Sequence, residues 1–273
     1  MRVGAVAAAG ALVAGAAMTG ATATPGIASA ENSVGRQSRT SGVAVAGGDV
    51  FVWSRHRSID NGGGCTLSFT VRSTASKRYG SLTAGHCVET LAGGPSYAVQ
   101  QTRNGSGNTT YPGVRIGVVR RGESRLGKHG DSAFVTLARG RSARPAVFTG
   151  GVSSRSTIPV AGLAKLHTGM KVCYSGEASG EHCDFRVVGR PQTMSFPAGS
   201  HVYTIHQEWR ATRATCTSRP GDSGSPVYVK RHGKAYAVGI LSGAQRNSAR
   251  CPFYFTPVAT ALKHLHVQLV SAR

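Results

Sequence analysis

The sequence is short of negative charge: eleven Asp and Glu stand against 32 Lys and Arg, a formal balance of +21. Such a surface attracts acidic polymers and anionic envelopes without selecting among them; in the simpler reading it is a solvated, self-repelling shell. The basic residues form no block longer than a pair and are not interleaved with aromatics. This excludes a dedicated nucleic-acid reader and leaves non-specific adsorption to anionic polymers or surfaces as an incidental property. Aromatic residues are also few (7%), whereas glycine is abundant at 37 residues. That balance argues against a helical bundle and for short strands joined by tight turns. No repeat of 20–50 residues recurs. Beyond residue 30 no apolar run is long enough to span a bilayer. A chain of 273 residues builds one large domain or two small ones.

No Cys-x-x-Cys pair occurs among the six cysteines, Cys65, Cys87, Cys173, Cys183, Cys216 and Cys251. Their irregular spacing argues against zinc, although His86 abuts Cys87 and His182 abuts Cys183, so no metal is expected. An even count in an exported chain argues for disulfides, with fifteen pairings open on composition alone. Export is written at the N-terminus. Arg2 precedes an uncharged stretch over residues 3–19, and Ala28-Ser29-Ala30 offers the small residues a signal peptidase inspects. Residues 1–30 are therefore expected to be a cleaved secretory signal, which makes the protein extracellular. A membrane anchor is the rival, but the stretch is rich in Ala and Gly rather than Leu and Ile. Residues 31–44 are polar, small and aperiodic, as in a disordered arm or short propeptide.

From Val45 the texture changes. Cys65–Arg72 alternates, with Leu67, Phe69 and Val71 on one face, which predicts a strand. Similar short runs lie at Gly113–Val119, Ser132–Leu137, Lys171–Tyr174, Val202–His206, Ser225–Val229 and Ala235–Leu241. The segment Arg139–Gly162, richer in Gly, Ser, Arg and Pro, is the expected bridge between two halves. After Pro257 the period becomes helical, with Val258, Leu262, Leu265 and Leu269 on one face of a terminal packing helix. The expectation is all-β with one final helix.

Amide acyl transfer needs a nucleophile, a base, a group that orients the base, and donors for the oxyanion. Arg219-Pro-Gly-Asp-Ser-Gly-Ser-Pro226 offers the first and last of these. A serine between glycines can present its hydroxyl on a tight turn, and the N–H groups of Gly221 and Ser223 can converge on an oxyanion. Alone, Gly-Asp-Ser-Gly is equally an ordinary turn. Leu82-Thr-Ala-Gly-His-Cys87 leaves room for the His86 imidazole to face a cleft, with Cys87 anchoring the loop behind it. With acids so scarce, few candidates can orient that imidazole. Asp131, at the mouth of the apolar run in Gly130-Asp-Ser-Ala-Phe-Val-Thr-Leu137, is the one chosen; its plainer reading is a cap or turn aspartate.

Together the Thr-Ala-Gly-His-Cys and Gly-Asp-Ser-Gly strings, in the order His, Asp, Ser, resemble the chymotrypsin-like serine peptidases, and more closely the secreted bacterial branch of streptogrisins and α-lytic protease. The resemblance runs from about Val45 to Leu269 and includes Gly-Cys-Thr-Leu at 64–67 and Pro257-Val-Ala-Thr-Ala-Leu262. It implies two antiparallel β-barrels with the active site between them. Residues 45–155 would carry His86 and Asp131, and residues 156–273 would carry Ser223 and the terminal helix. It further implies the bridges Cys65–Cys87, Cys173–Cys183 and Cys216–Cys251. The activity implied is a cofactor-free serine endopeptidase, monomeric, acting on proteins or peptides through an acyl-enzyme. The alternative is a homologue without turnover, serving as a basic binding protein for acidic surfaces; the presence of all three residues and Gly221 argues against it.

Three positions depart from that pattern. Ser225 stands where most relatives have glycine. Tyr174 stands where the bacterial relatives often carry an arginine paired to the aspartate before the nucleophile, here Asp222, so other donors must hold Asp222. The specificity pocket corresponds to Ala214, Thr215, Ser242, Gly243 and Ala244, with Phe253 at its floor. No acid lies at its base, and Ala244 in place of glycine narrows it. A small or medium apolar residue is therefore expected before the cut, rather than Lys or Arg.

Overall fold

The computed structural model describes residues 44–54, 64–89, 96–103, 109–198, 201–245, 248 and 250–272. The expected signal segment and all of the expected arm except Ala44 lie outside them. In chain order the first elements are β1 (Ala44–Gly47), β2 (Val50–Ser54), β3 (Gly64–Thr66), β4 (Thr70–Ser73), β5 (Tyr79–Thr83) and the single turn α1 (His86–Glu89). Next come β6 (Ser96–Arg103), β7 (Thr109–Val119), β8 (Ser124–Gly127), β9 (Gly130–Leu137), β10 (Ser142–Phe148) and β11 (Thr157–Leu163). After these follow β12 (Lys171–Gly176), β13 (Gly180–Ala198), β14 (His201–Thr212), β15 (Pro226–Arg231), β16 (Lys234–Ala244) and β17 (Phe253–Pro257). The helix α2 (Val258–Leu265) and the short β18 (Val267–Leu269) complete the order.

Two sheets close on themselves. In the first, neighbours run β4, β5, β9, β7, β6, β2, β3. Because β3 and β4 belong to one stretch of chain, the sheet returns to its start and becomes a barrel. The segment that links them is bonded to β5: the Ser68 N–H donates to the Leu82 carbonyl and the Leu82 N–H to that of Phe69. In the second, β12, β13, β14, β17, β16 and β15 pair in a ring, closed by β15 on β12 and β16 on β17. Closure removes the exposed edges a chain rich in short strands would otherwise present.

Each barrel has its own apolar filling. Leu67, Ile116, Ala133 and Val135 fill the first. Val172, Tyr174, Phe185, Val227, Phe253 and Phe255 fill the second, where the Phe185 and Phe253 rings meet edge-on at 4.8 Å. A third cluster joins the two, with Phe69, Val71, Leu82 and Phe134 from one barrel against Tyr228 and Ile240 from the other. The stretch from Cys65 to Val71 is consequently buried on both faces.

Two expectations are refined. The bridge carries structure of its own: β10 and β11 pair antiparallel, β1 joins β10, and β11 lies parallel to β16. The terminal helix stops at Leu265 instead of running through Leu269. His266 adopts the left-handed conformation (φ 54°), its N–H caps the Leu262 carbonyl, and the chain turns into β18. Leu269 therefore pairs with Val71 across a sheet instead of lying on the helix face. Its apolar spacing reflects burial, which helix and strand satisfy equally.

Candidate active site

His86 opens α1 directly after β5, and Asp131 is the second residue of β9, the strand paired to β5. That pairing brings together residues 45 positions apart. Asp131 is wholly buried and uses both oxygens on His86: Oδ1 accepts the backbone N–H at 2.8 Å, and Oδ2 lies 2.6 Å from ring Nδ1. Bidentate anchoring fixes the carboxylate and the ring plane at once. The close approach requires glycine at 85, where a Cβ would sit 2.2 Å from the Arg125 carbonyl oxygen and 3.1 Å from Asp131 Oδ1. The imidazole itself remains partly accessible.

Ser223 sits between β14 and β15, at the face of the second barrel that meets β3. The Thr66 N–H donates to the Ser223 carbonyl at 2.7 Å, and the Thr66 hydroxyl to the Gly221 carbonyl at 2.8 Å. The Cys65–Cys87 disulfide ties this same strand to the His86 turn, and Cys87 Sγ lies 4.0 Å from both His86 Nε2 and the Ser223 carbonyl oxygen. His86, Asp131 and Ser223 are thus collected around one junction between the barrels. The Ser223 hydroxyl points along the second barrel, 3.5 Å from the Ser242 carbonyl.

The loop around Ser223 is shaped for an oxyanion. Gly221 has φ +100°, which side-chain-bearing residues rarely adopt. The Asp222 carbonyl is held from behind by the Ser225 N–H at 3.0 Å and the Ser225 hydroxyl at 2.5 Å. In a trans peptide the N–H points opposite to the C=O, so this double anchor aims the Ser223 N–H away from Ser225. Ser225 is thereby more than a tolerated replacement for glycine, since it adds a hydrogen bond that glycine lacks.

Asp222 is buried without an ion pair among the described residues. Oδ2 accepts the Arg219 N–H at 2.7 Å, and Oδ1 accepts the N–H groups of Ala178 and Ser179 at 3.1 and 3.0 Å. Burial pushes its pKa up to about 6, despite the opposing pull of these donors. Tyr174, at the position of the family's arginine, hydrogen-bonds Thr217 at 3.0 Å and accepts from Ser179 at 3.2 Å. Burial and the neighbouring Asp222 charge hold the phenol protonated. Backbone donors therefore do the work a guanidinium would have done.

The pocket candidates fall into two groups. Ser242, Gly243, Ala244 and Phe253 are buried on adjacent strands β16 and β17, with Ala244 opposite Phe253. The Phe253 ring packs against Tyr174 and Phe185 in the barrel interior. Ala214 and Thr215 are exposed, just before Cys216, which is bonded to Cys251 beside β17. The remaining disulfide joins Cys173 to Cys183. Two clusters have the composition of metal ligands, Cys65/His86/Cys87 and Cys173/Glu181/Cys183. In each, both sulfurs are spent in a disulfide, so neither offers a thiolate.

The trypsin family model matches residues 55–265. The chain belongs to the trypsin family. Among curated proteins, serine protease 2 of Streptomyces fradiae is 28% identical over 187 residues, covering 68% of this chain and 90% of that one. Among solved structures, this trypsin-family chain is similar to the Nocardiopsis protease (24% identity, TM-score 0.58) and Cellulomonas bogoriensis chymotrypsin (25%, TM-score 0.57). Both alignments cover 84% of this chain and all of the other. The two-barrel, chymotrypsin-like fold follows, and with it assignment as a serine endopeptidase; the Streptomyces relative supports a streptogrisin-like branch.

Sequence reasoning passed over the supports of this trypsin-family site. Thr66 lay inside the quoted Gly-Cys-Thr-Leu string, but its bonds to the 221–223 loop exist only across the barrel interface. Ser179 and Thr256 carried no signal as ordinary hydroxyl residues. Glu208 carried none either: it lies in the mixed polar run His201–Thr212, where no local pattern marks it as buried.

Proposed function

We propose that His86, Asp131 and Ser223 are the catalytic triad of this serine endopeptidase, that Gly221 and Ser223 supply its oxyanion donors, and that the protein acts outside the cell. The observation that carries the reading is the Asp131 carboxylate, buried and committed through both oxygens to His86. During attack the Ser223 oxygen bonds to the scissile carbonyl carbon and its proton passes to His86 Nε2. The C–N bond then breaks, and His86 returns the proton to the leaving amine. Water repeats the sequence on the acyl-enzyme, releasing the acid and restoring Ser223. Asp131 stays ionised and holds the tautomer in which Nδ1 carries the hydrogen. Removal of one oxyanion donor costs about 10²–10³ in turnover.

The wall formed by Ser242, Gly243 and Ala244, with Ala214, Thr215 and Phe253 around it, favours a small or medium apolar residue before the cut. Among these residues no carboxylate is available to receive Lys or Arg. The division of the chain at residue 155 and a monomeric state belong to the same reading, as does adsorption of the +21 surface to polyanions.

The test is labelling of the exported protein with a fluorophosphonate probe beside Ser223→Ala, His86→Ala and Asp131→Asn. Labelling at Ser223 that fades in all three variants supports the triad. A folded wild type that refuses the probe turns the reading toward a binding protein without turnover.

A further inference from the structure

Glu208 is an acid for which the peptidase mechanism has no use. It is wholly buried, on β14. A bulge puts it there. Between the pairs Met194–Ile205 and Gln192–Glu208, β13 advances two residues while β14 advances three, and Gln207 takes up the difference at φ 64°. Bulges re-aim the side chains that follow them and gather next to active sites.

The inward-turned carboxyl meets the triad from behind. Its Oε1 accepts the Thr256 hydroxyl at 2.5 Å. The same hydroxyl oxygen accepts the backbone N–H of Asp131 at 2.7 Å. A continuous line therefore runs from β14 through β17 to the main chain of β9 at the residue that grips His86. Because Thr256 donates its one proton to Glu208, its oxygen is left to accept from Asp131 and cannot turn its hydrogen toward it. The other carboxyl oxygen, Oε2, is buried with the Ser242 hydroxyl as its neighbour and has no cation beside it among the described residues. An ionised carboxylate in that position would be an uncompensated buried charge beside Asp131. Burial first, and the Asp131 charge in addition, raise the Glu208 pKa well above the ordinary carboxylate value, which favours the neutral acid.

We propose that Glu208 is a positioning residue for the triad, a buried carboxylic acid that acts through the Thr256 hydroxyl to fix the main chain at Asp131. The inference rests on Asp131 being the group that orients His86. It assigns Glu208 no contact with substrate. Its effect is on the rate of the chemical steps and not on binding.

The experiment compares Thr256→Val, Thr256→Ser, Glu208→Gln and Glu208→Met with the wild type, after fluorophosphonate labelling of the wild type has established the triad. Valine keeps the shape of threonine without the hydroxyl. We expect Thr256→Val to lower kcat about tenfold with KM within twofold, and to move or broaden the low-field proton resonance of the His86–Asp131 bond. Thr256→Ser and Glu208→Gln, which keep the hydroxyl and a neutral acceptor respectively, should restore kcat and resonance. Glu208→Met removes the acceptor without adding a polar group and should follow Thr256→Val, so the comparison survives misfolding of either. Wild-type kcat and resonance in Thr256→Val or Glu208→Met would overturn the proposal, as would Glu208→Gln losing as much as either. A wild type that takes no label sinks the triad assignment instead.

Discussion

Asp222 carries its charge without a cation, and this has a measurable cost. Its carboxyl titrates near 3.8 in a free chain and at about 6 in the folded protein. Between those values the native state holds more protons than the unfolded one, so stability falls as pH rises. The contribution is fully present below pH 4 and lost by pH 7. At about 1.4 kcal/mol per pKa unit it amounts to about 3 kcal/mol. In a Ser223→Ala background, which prevents self-digestion, urea unfolding of Asp222 and Asp222→Asn proteins should show this. The difference between them should move against Asp222 by about 3 kcal/mol from pH 4 to pH 7. Parallel curves would show that the buried charge is fully compensated. Ser225 is tested by removing only its hydroxyl. Ser225→Ala leaves the backbone bond to the Asp222 carbonyl and deletes the second one, worth about 0.5–1.5 kcal/mol. The expected result is a two- to tenfold fall in kcat with KM unchanged in peptide hydrolysis; a fall in KM alone would contradict the oxyanion role.

At the scale of elements, β14 is decided by its bulge. A strand flips its faces when its register slips by one residue. Deleting Gln207 should restore an even register against β13 and leave Glu208 on the face of Ile205, without the kink that aims its carboxyl at Thr256. Peptide hydrolysis should then fall about tenfold or more while far-UV circular dichroism stays that of a β protein. Full activity in the deletion would mean that the bulge serves only the hairpin. This bulge also marks the limit of what sequence can tell. Short apolar runs such as Ser132–Leu137 and Ala235–Leu241 were legible because strands buried on both faces read as near-continuous apolar stretches. So was the meeting of His86 with Asp131, where small neighbours serve close approach. Val202–His206 was legible as a strand, but not its extension to Thr212, because Gln207 interrupts the period where the chain is re-aimed. Likewise the spacing of Leu265 and Leu269 reports burial without saying that His266 ends the helix between them. Supports that act across barrels, Thr66 and Thr256 above all, have no local pattern to read.

The whole molecule is joined by more than the cleft. After α2 the chain leaves the second barrel, and β18 pairs with β4 of the first, Val267 opposite Ser73 and Leu269 opposite Val71. The His266 carbonyl also accepts from the Thr74 N–H and hydroxyl. Deleting residues 267–273 removes the β18–β4 pairing and the burial of Val267, the latter alone worth about 1.5–3 kcal/mol. The melting temperature should drop by at least about 5 °C, and fluorophosphonate labelling should slow with it, because the strand lost pairs with the barrel that carries His86. An unchanged melting temperature would show that β18 is ornament.

The Thr74–His266 bond beside that pairing spans 192 residues of chain, and contacts so distant in sequence are slow to form. The barrel that holds His86 and Asp131 draws nearly all its strands from the first half of the sequence, yet its sheet is complete only when a segment from the other half arrives. Synthesis proceeds in one direction, so a nascent chain passes through a long interval with β4 half-paired and no cleft assembled. The topology therefore works as a clock: the barrel of His86 waits for the segment that carries β18 before its sheet is whole.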